Sequence, residues 1–252
     1  MKIRFLGTGT STGVPEIGCS CEVCSSNNIK DKRLRTSVLV TINNKQILFD
    51  CGPDFRQQML SVSFRKIDAV FLSHEHYDHV GGIDDLRPFC QFGDIDIYAE
   101  GNVCQAIKQR MPYCFKADKY PGTPNINLKE IDISNPIDIK DFTISAIRVL
   151  HGKIPILGYR IENVAYLTDV LSIPNEEYKK LKNLDILIIN ALRIKEHPSH
   201  QTLSNALKQI EKIKPKEAYL IHMSHHFGLH NNIQKELPKN VTIAYDNLEI
   251  DT

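Results

Sequence analysis

The chain has 252 residues, 42% of them apolar and 24% charged, and a formal net charge of +1 at pH 7. That length allows one large domain or two small ones with ample core. The balanced charge excludes bulk basicity as a means of holding nucleic acid, and no apolar run approaches the ~20 residues that span a bilayer.

From the N-terminus, "MKIRFLGTGTSTG" carries one short apolar segment and then turns polar and glycine-rich. It lacks the apolar h-region of a signal peptide and reads as a first strand followed by a loop. Next comes "CSCEVC", which places Cys19, Cys21 and Cys24 close together, whereas Cys51, Cys90, Cys104 and Cys114 are scattered. Seven cysteines without a secretory signal favour metal or free-thiol use over a disulfide framework. A cytoplasmic protein is expected, with the scattered cysteines buried as small apolar residues.

The strand candidates then follow in order: "KIRFLG", "SVLVTI", "QILFD", "AVFLS", "IDIYA", "FTISAIRVL", "LGYRI", "AYLTD", "LDILIIN", "AYLIH" and "VTIAYD". Asn43–Asn44 and Glu162–Asn163 read as hairpin turns. A helix is expected in "TLSNALKQIEKIKP", with Leu203, Leu207, Ile210 and Ile213 on one face and Pro215 as its stop. "VCQAIKQRM" and "NEEYKKLKN" also read as helices, and another is expected from Gly82–Ile83. No repeat, low-complexity tract or Gly/Ser linker divides the chain, so residues 1–252 are read as one domain. Many strands with interspersed helices predict an α/β sandwich in which helices cover packed sheets.

One stretch concentrates the chemistry. "FLSHEHYDHVGG" places His74, His76, Asp78 and His79 within six positions, behind an apolar run and before a glycine pair. Imidazole nitrogens and carboxylate oxygens are ligands for zinc and similar metals. His74 and His76, two apart, point the same way in extended backbone. Asp78 and His79 follow after a turn and could face a second ion. Four such side chains in one loop suit two adjacent ions better than one crowded ion. Three further apolar strands end abruptly in a ligand-type residue: "ISAIRVLHG" at His151, "VAYLTD" at Asp169 and "EAYLIH" at His222. Neighbouring strand ends converge on one edge of a sheet, where α/β proteins commonly place their sites.

These residues, in this order, resemble the metallo-β-lactamase superfamily, whose signature is His-x-His-x-Asp-His followed by a lone His, a lone Asp and a late His. The resemblance covers essentially the whole chain. It implies a four-layer αβ/βα sandwich with a dinuclear centre at one edge. The family pattern puts one divalent metal on His74, His76 and His151, a second on Asp78, His79 and His222, and Asp169 between them. "LFDCGPD" matches the family's early Asp-x-Gly turn, which implies that Asp50 supports the ligand loop from behind. An Asp rather than a Cys at position 169 argues against β-lactam hydrolysis and for phosphodiesters or thioesters. The N-terminal "GTGTSTGVPEIGCSCEVC" resembles the PhnP-type phosphodiesterases, which act on cyclic phosphates. That likeness implies a structural zinc on Cys19, Cys21, Cys24 and His225, a complete tetrahedral set.

The expected activity is therefore that of a metal-dependent hydrolase: a phosphodiesterase with two Zn or Mn ions that share a hydroxide at neutral pH. Its expected substrates are small phosphodiesters, namely a ribosyl 1,2-cyclic phosphate or a 2′,3′-cyclic nucleotide. Asp78 is expected to hydrogen-bond the hydroxide as well as bind metal. His200 in "EHPSHQTLS" precedes a helix whose N-terminal amides would favour an anion, and the resemblance implies that it contacts the phosphate or protonates the leaving oxygen. The chain contains no glycine-rich basic insertion of the kind that grips tRNA in tRNA 3′-processing endonucleases, which is the first alternative. A metal-binding accessory protein of cofactor assembly, related to the pyrroloquinoline quinone branch, is the second. Neither a membrane nor nucleic acid is an expected partner, and a homodimer is consistent with the resemblance.

Overall fold

A computed structural model describes all residues, 1–252. Its strands are β1 (Lys2–Gly7), β2 (Ser37–Ile42), β3 (Lys45–Phe49), β4 (Ala69–Phe71), β5 (Ile95–Ala99), β6 (Ile126–Glu130) and β7 (Ile137–Asp138). They continue with β8 (Thr143–His151), β9 (Ile154–Ile161), β10 (Val164–Leu167), β11 (Ile186–Asn190), β12 (Glu217–Ile221), β13 (Val241–Ile243) and β14 (Glu249–Asp251). Two seven-stranded sheets result, in the orders β14-β1-β2-β3-β4-β5-β6 and β13-β12-β11-β10-β9-β8-β7.

The strand sequences explain why the sheets stack and are then covered. In β11, Ile186 and Ile188 enter the core between the sheets, while Leu187 and Ile189 enter the layer outside. A strand buried on both faces needs a continuous apolar run, and "ILII" supplies one. Phe5, Val40, Phe49 and Phe71 of the first sheet meet Leu157, Tyr159 and Tyr166 of the second. The outer face of the first sheet is covered by α2 (Phe55–Met59), α3 (Tyr77–Val80) and α4 (Gly101–Arg110), through residues such as Phe55, Val80 and Ile107. The outer face of the second is covered by α5 (Leu203–Ile213) and α6 (His230–Gln234). The four-layer sandwich expected from the sequence is thus present. Ile188, fully buried between the sheets, gives a simple check. Ile188→Val should cost about 1 kcal/mol and lower Tm by about 2–4 °C in thermal unfolding.

Both hairpin turns form. Asn43, Asn44 and Glu162 have φ of 48°, 62° and 49°, the left-handed conformation that tight hairpins require. The helix at 203–213 begins at an N-cap, Thr202, whose side chain accepts from Asn205 N. It is ended by Lys214 in the left-handed conformation, one residue before the proline named as its stop. Its packed face is Ala206, Ile210 and Ile213. Leu203 and Leu207 are only part-buried and line a surface groove of about 820 Å³ that contains none of the histidine cluster. Two expected helices are corrected: Asn175–Leu181 and Ile83–Phe92 are 3-10 turns, the second carrying Pro88 inside it. A proline removes a backbone donor and clashes with the preceding turn, so the α-helical ladder is interrupted there. No helix is long and apolar enough to cross a membrane.

Candidate metal centre

The strand ends named from the sequence converge. β4 leads into the histidine loop, β8 ends at His151, β10 stops two residues before Asp169, and β12 stops at Ile221. Strand order puts β10, β11 and β12 side by side and parallel, which brings their C-terminal ends to one edge. The backbone has a specific way of ending these strands. Asp50, Asp169 and His222 have φ of 58°, 54° and 57°. Left-handed backbone is uncommon outside glycine and costs of order 1–3 kcal/mol per residue, so it persists where the surroundings enforce it. Each kink stops a strand and turns its side chain into the site. Glycines let the supporting turns meet: a Cβ on Gly52 would collide with the Asp78 carbonyl oxygen, and one on Gly82 with the Gly52 carbonyl oxygen.

Two four-residue groups result. His74, His76, His151 and Asp169 present ligand atoms within 4.8 Å of one another, and so do Asp78, His79, Asp169 and His222. Asp169 belongs to both. Its Oδ1 lies 3.0 Å from His222 Nε2 and 3.4 Å from His79 Nε2, and its Oδ2 lies 3.7 Å from His74 Nε2. Six of the seven side chains are buried; His76 reaches the mouth of the site.

Second contacts aim the rings. Asp50 accepts from Ser73 N at 2.8 Å, Ser73 Oγ at 3.0 Å and Tyr166 OH at 2.7 Å, and His79 Nδ1 donates to it at 2.8 Å. With Nδ1–H so engaged, His79 Nε2 faces the cluster. His151 Nδ1 donates to the Ser199 carbonyl at 3.0 Å, which aims its Nε2 inward in the same way. Thr168 Oγ1 donates to Asp169 Oδ1 at 2.8 Å. Asp50 thus lies behind the histidine loop, hydrogen-bonded to Ser73 and His79. Ser73, Tyr166 and Thr168 were not anticipated. His200 Nε2 lies 3.3 Å from Asp169 Oδ2, so His200 joins the cluster.

These residues fit a cation. His79 Nε2 is buried without a hydrogen bond, although Asp78 Oδ2 lies 3.1 Å away. Burial alone would favour protonated, neutral carboxyls at Asp78 and Asp169. The neighbouring His79 and His222 overcome it and hold both acids well below the usual range. In turn, burial opposes charge on His222, yet Asp169 raises it to about 9. His79 is likewise raised, against its burial, by Asp78, Asp169 and Asp50. A pocket of buried carboxylates that draws protons onto its own imidazoles is one that positive charge from a metal would suit, with protons released in exchange. His74, held low first by burial and then by His79, is a neutral imidazole, the form that binds metal.

A second cluster includes His225, three residues after His222. Cys19, Cys21, Cys24 and His225 place ligand atoms within 4.8 Å of one another. His225 Nδ1 lies 3.3 Å from the sulfurs of both Cys19 and Cys21. Cys21 caps α1 (Glu22–Ser25) and accepts from Cys24 N. That backbone bond, followed by the contact with His225, lowers the Cys21 thiol to about 6, whereas burial raises Cys24 to about 11.

The sequence profile described as a beta-lactamase superfamily domain matches residues 45–223. The chain belongs to the metallo-β-lactamase superfamily. A solved structure described as a new diphosphatase from the PhnP family is 37% identical, covers 100% of this chain and 97% of its own, and has a TM-score of 0.92. The octanoyltransferase of Porphyromonas gingivalis (strain ATCC BAA-308 / W83) is 49% identical over 251 residues, which is 99% of this chain and 51% of that protein. The ribonuclease Z of Bacillus licheniformis is 29% identical over 197 residues, 73% of this chain and 58% of its own. The chain spans about half the length of the curated relatives it matches. As a PhnP-like member of the superfamily, it carries the fold of metal-dependent hydrolases together with His and Asp clusters able to bind divalent metal.

Proposed function

We propose that this metallo-β-lactamase-fold protein is a dinuclear phosphodiesterase acting on small cyclic phosphates. The observation that carries the reading is the single carboxylate, Asp169, common to two complete His/Asp groups. His74, His76, His151 and Asp169 would hold one divalent ion, and Asp78, His79, His222 and Asp169 the other. Two such ions supply a hydroxide nucleophile at neutral pH and neutralise charge that develops on the phosphoryl oxygens.

The chain's own residues do the rest. Burial of six ligands keeps bulk water from the reacting centre, and His76 at the mouth leaves one approach for the phosphate. Asp78 accepts a hydrogen bond from the attacking oxygen, and His200 Nε2 meets a phosphoryl oxygen or protonates the departing sugar oxygen. Asp50 holds His79 in its ligating orientation, so Asp50→Asn should weaken metal binding about 10–100-fold, as read by competition with a chelator. Unchanged affinity would remove Asp50 from the site. Zinc on Cys19, Cys21, Cys24 and His225 would pin the N-terminal loop beside this edge.

A second reading, hydrolysis of a diphosphate linkage, is favoured by the 37% identity to the PhnP-family diphosphatase. The same centre suits it, because both reactions displace oxygen at phosphorus. The octanoyltransferase name belongs to a protein about twice as long as this chain. Precursor-tRNA cleavage is the weaker alternative. The interstrand stretches 100–125 and 191–216 hold α4 and α5, which pack on the sheets. The deciding experiment is hydrolysis by zinc- or manganese-loaded protein of an aryl phosphodiester, 2′,3′-cyclic nucleotides, a ribosyl 1,2-cyclic phosphate, a dinucleoside diphosphate and a precursor tRNA. Preferred turnover of a cyclic phosphate is expected. Preference for the diphosphate selects the second reading, and inertness towards all five refutes both.

A further inference from the structure

His200 has a neighbour that the sequence left without a task. The loop between β11 and α5 carries His197, Ser199 and His200. Ser199 N donates to His197 Nδ1 at 3.3 Å. A backbone N–H can only donate, so this ring nitrogen is an acceptor. His200 Nδ1 lies 3.2 Å from the same atom and 3.0 Å from Ser199 Oγ. With His197 Nδ1 as the acceptor, the 3.2 Å contact makes His200 Nδ1 the donor of that pair; Ser199 Oγ, 3.3 Å from His197 Nδ1, flanks both ring nitrogens. The His200 ring is thereby held with Nδ1 outward and Nε2 towards Asp169 Oδ2, at 3.3 Å. The His197 imidazole, held below the usual range first by burial and then by His200 and Arg193, stays neutral and able to accept. The Ser199 carbonyl meanwhile receives His151 Nδ1 at 3.0 Å. One short loop therefore orients a ring of the metal centre and the ring beside it.

We propose that His197 is a positioning residue for the reaction: its Nδ1 accepts from His200 Nδ1 and so presents His200 Nε2 to the scissile phosphate. The proposal rests on the phosphodiesterase reading above and on His200, with a proton on each ring nitrogen, passing its Nε2 proton to the leaving oxygen while its Nδ1–H stays hydrogen-bonded to His197 Nδ1. A residue that serves proton delivery matters for a poor leaving group and little for a good one. That contrast separates positioning from a merely structural role.

The test compares zinc-loaded parent, His197→Ala and His197→Asn on a 2′,3′-cyclic nucleotide, whose leaving group is a sugar hydroxyl, and on a nitrophenyl phosphodiester. In His197→Ala, kcat on the cyclic nucleotide should fall about 10–100-fold with KM within about 3-fold, while the aryl substrate changes less than about 3-fold. Asparagine keeps an acceptor near the Nδ1 position, so His197→Asn should recover most of the loss. Zinc content should be unchanged throughout. Equal loss on both substrates, loss of zinc, or unaltered kinetics in His197→Ala would each overturn the proposal. A parent inert on both substrates counts against the phosphodiesterase reading instead. In that case ¹⁵N NMR of the zinc-loaded parent decides the contact itself: a through-hydrogen-bond coupling between the two Nδ1 atoms supports the pairing, and its absence overturns it.

Discussion

Asp169→Asn is expected to lower kcat/KM on the best phosphodiester substrate by at least about a thousandfold and to reduce bound metal below two equivalents beyond the one zinc on the cysteine cluster. Asparagine has the same shape as aspartate and tolerates the left-handed backbone, φ 54°, at this position. The fold should survive, and an unchanged melting curve of the metal-free variant would show that it has. What is lost is charge. Asp169 is the one carboxylate within reach of His74, His79 and His222 together. A neutral amide there weakens both ion sites at once, whereas a change at His76 touches one group only. Elemental analysis beside steady-state kinetics measures the effect. A variant that kept two metals and full turnover would refute the shared-carboxylate reading.

That site was legible in the sequence to an unusual degree, and the reason is local. His74, His76, Asp78 and His79 fall within six consecutive positions, and each remaining ligand ends an apolar strand. The abrupt change from "AYLT" to Asp169, or from "AYLI" to His222, marks the left-handed kink that aims the side chain. The supporting residues left no such mark. Tyr166 reads as one more apolar strand residue, and its bond to Asp50 joins positions 116 residues apart. Only the stacking of the two sheets creates that bond. Ser73 looked like the end of β4, yet its backbone N–H and hydroxyl both serve Asp50. His197 carries no such mark either, since a histidine in a polar loop is usually just solvated; the acceptor state of its Nδ1 depends on a backbone contact two residues away.

The same reasoning explains what was missed in the fold. β6, "INLKE", is an edge strand with only Ile126 buried, so it shows almost no apolar alternation. β14 sits on the opposite edge of that sheet and is mostly exposed. Edge strands owe their place to a partner's hydrogen bonds more than to their own burial, and polar residues there also guard against edge-to-edge association.

Cys21→Ser should remove one equivalent of zinc while leaving the two catalytic equivalents in place. The Cys21 thiol is lowered to about 6, because the Cys24 N–H and then His225 favour its thiolate. It is therefore already the ligand form at neutral pH. A serine hydroxyl is a far poorer ligand, and the site would fall to two thiolates and one imidazole. The consequence should travel only a short way. His225 follows His222 by three residues, and Thr10 N, from the same N-terminal segment as the cysteines, donates to the Met223 carbonyl. Loosening the loop should raise hydrogen exchange across residues 10–25 and lower kcat modestly, about 2–10-fold by comparison with supporting-contact losses at metal sites. Direct loss of the catalytic ligands would do far more. The ordering is the discriminating result: a large fall in activity with full zinc would place Cys21 in the reaction itself, and an unchanged zinc count would leave the cluster as free thiols.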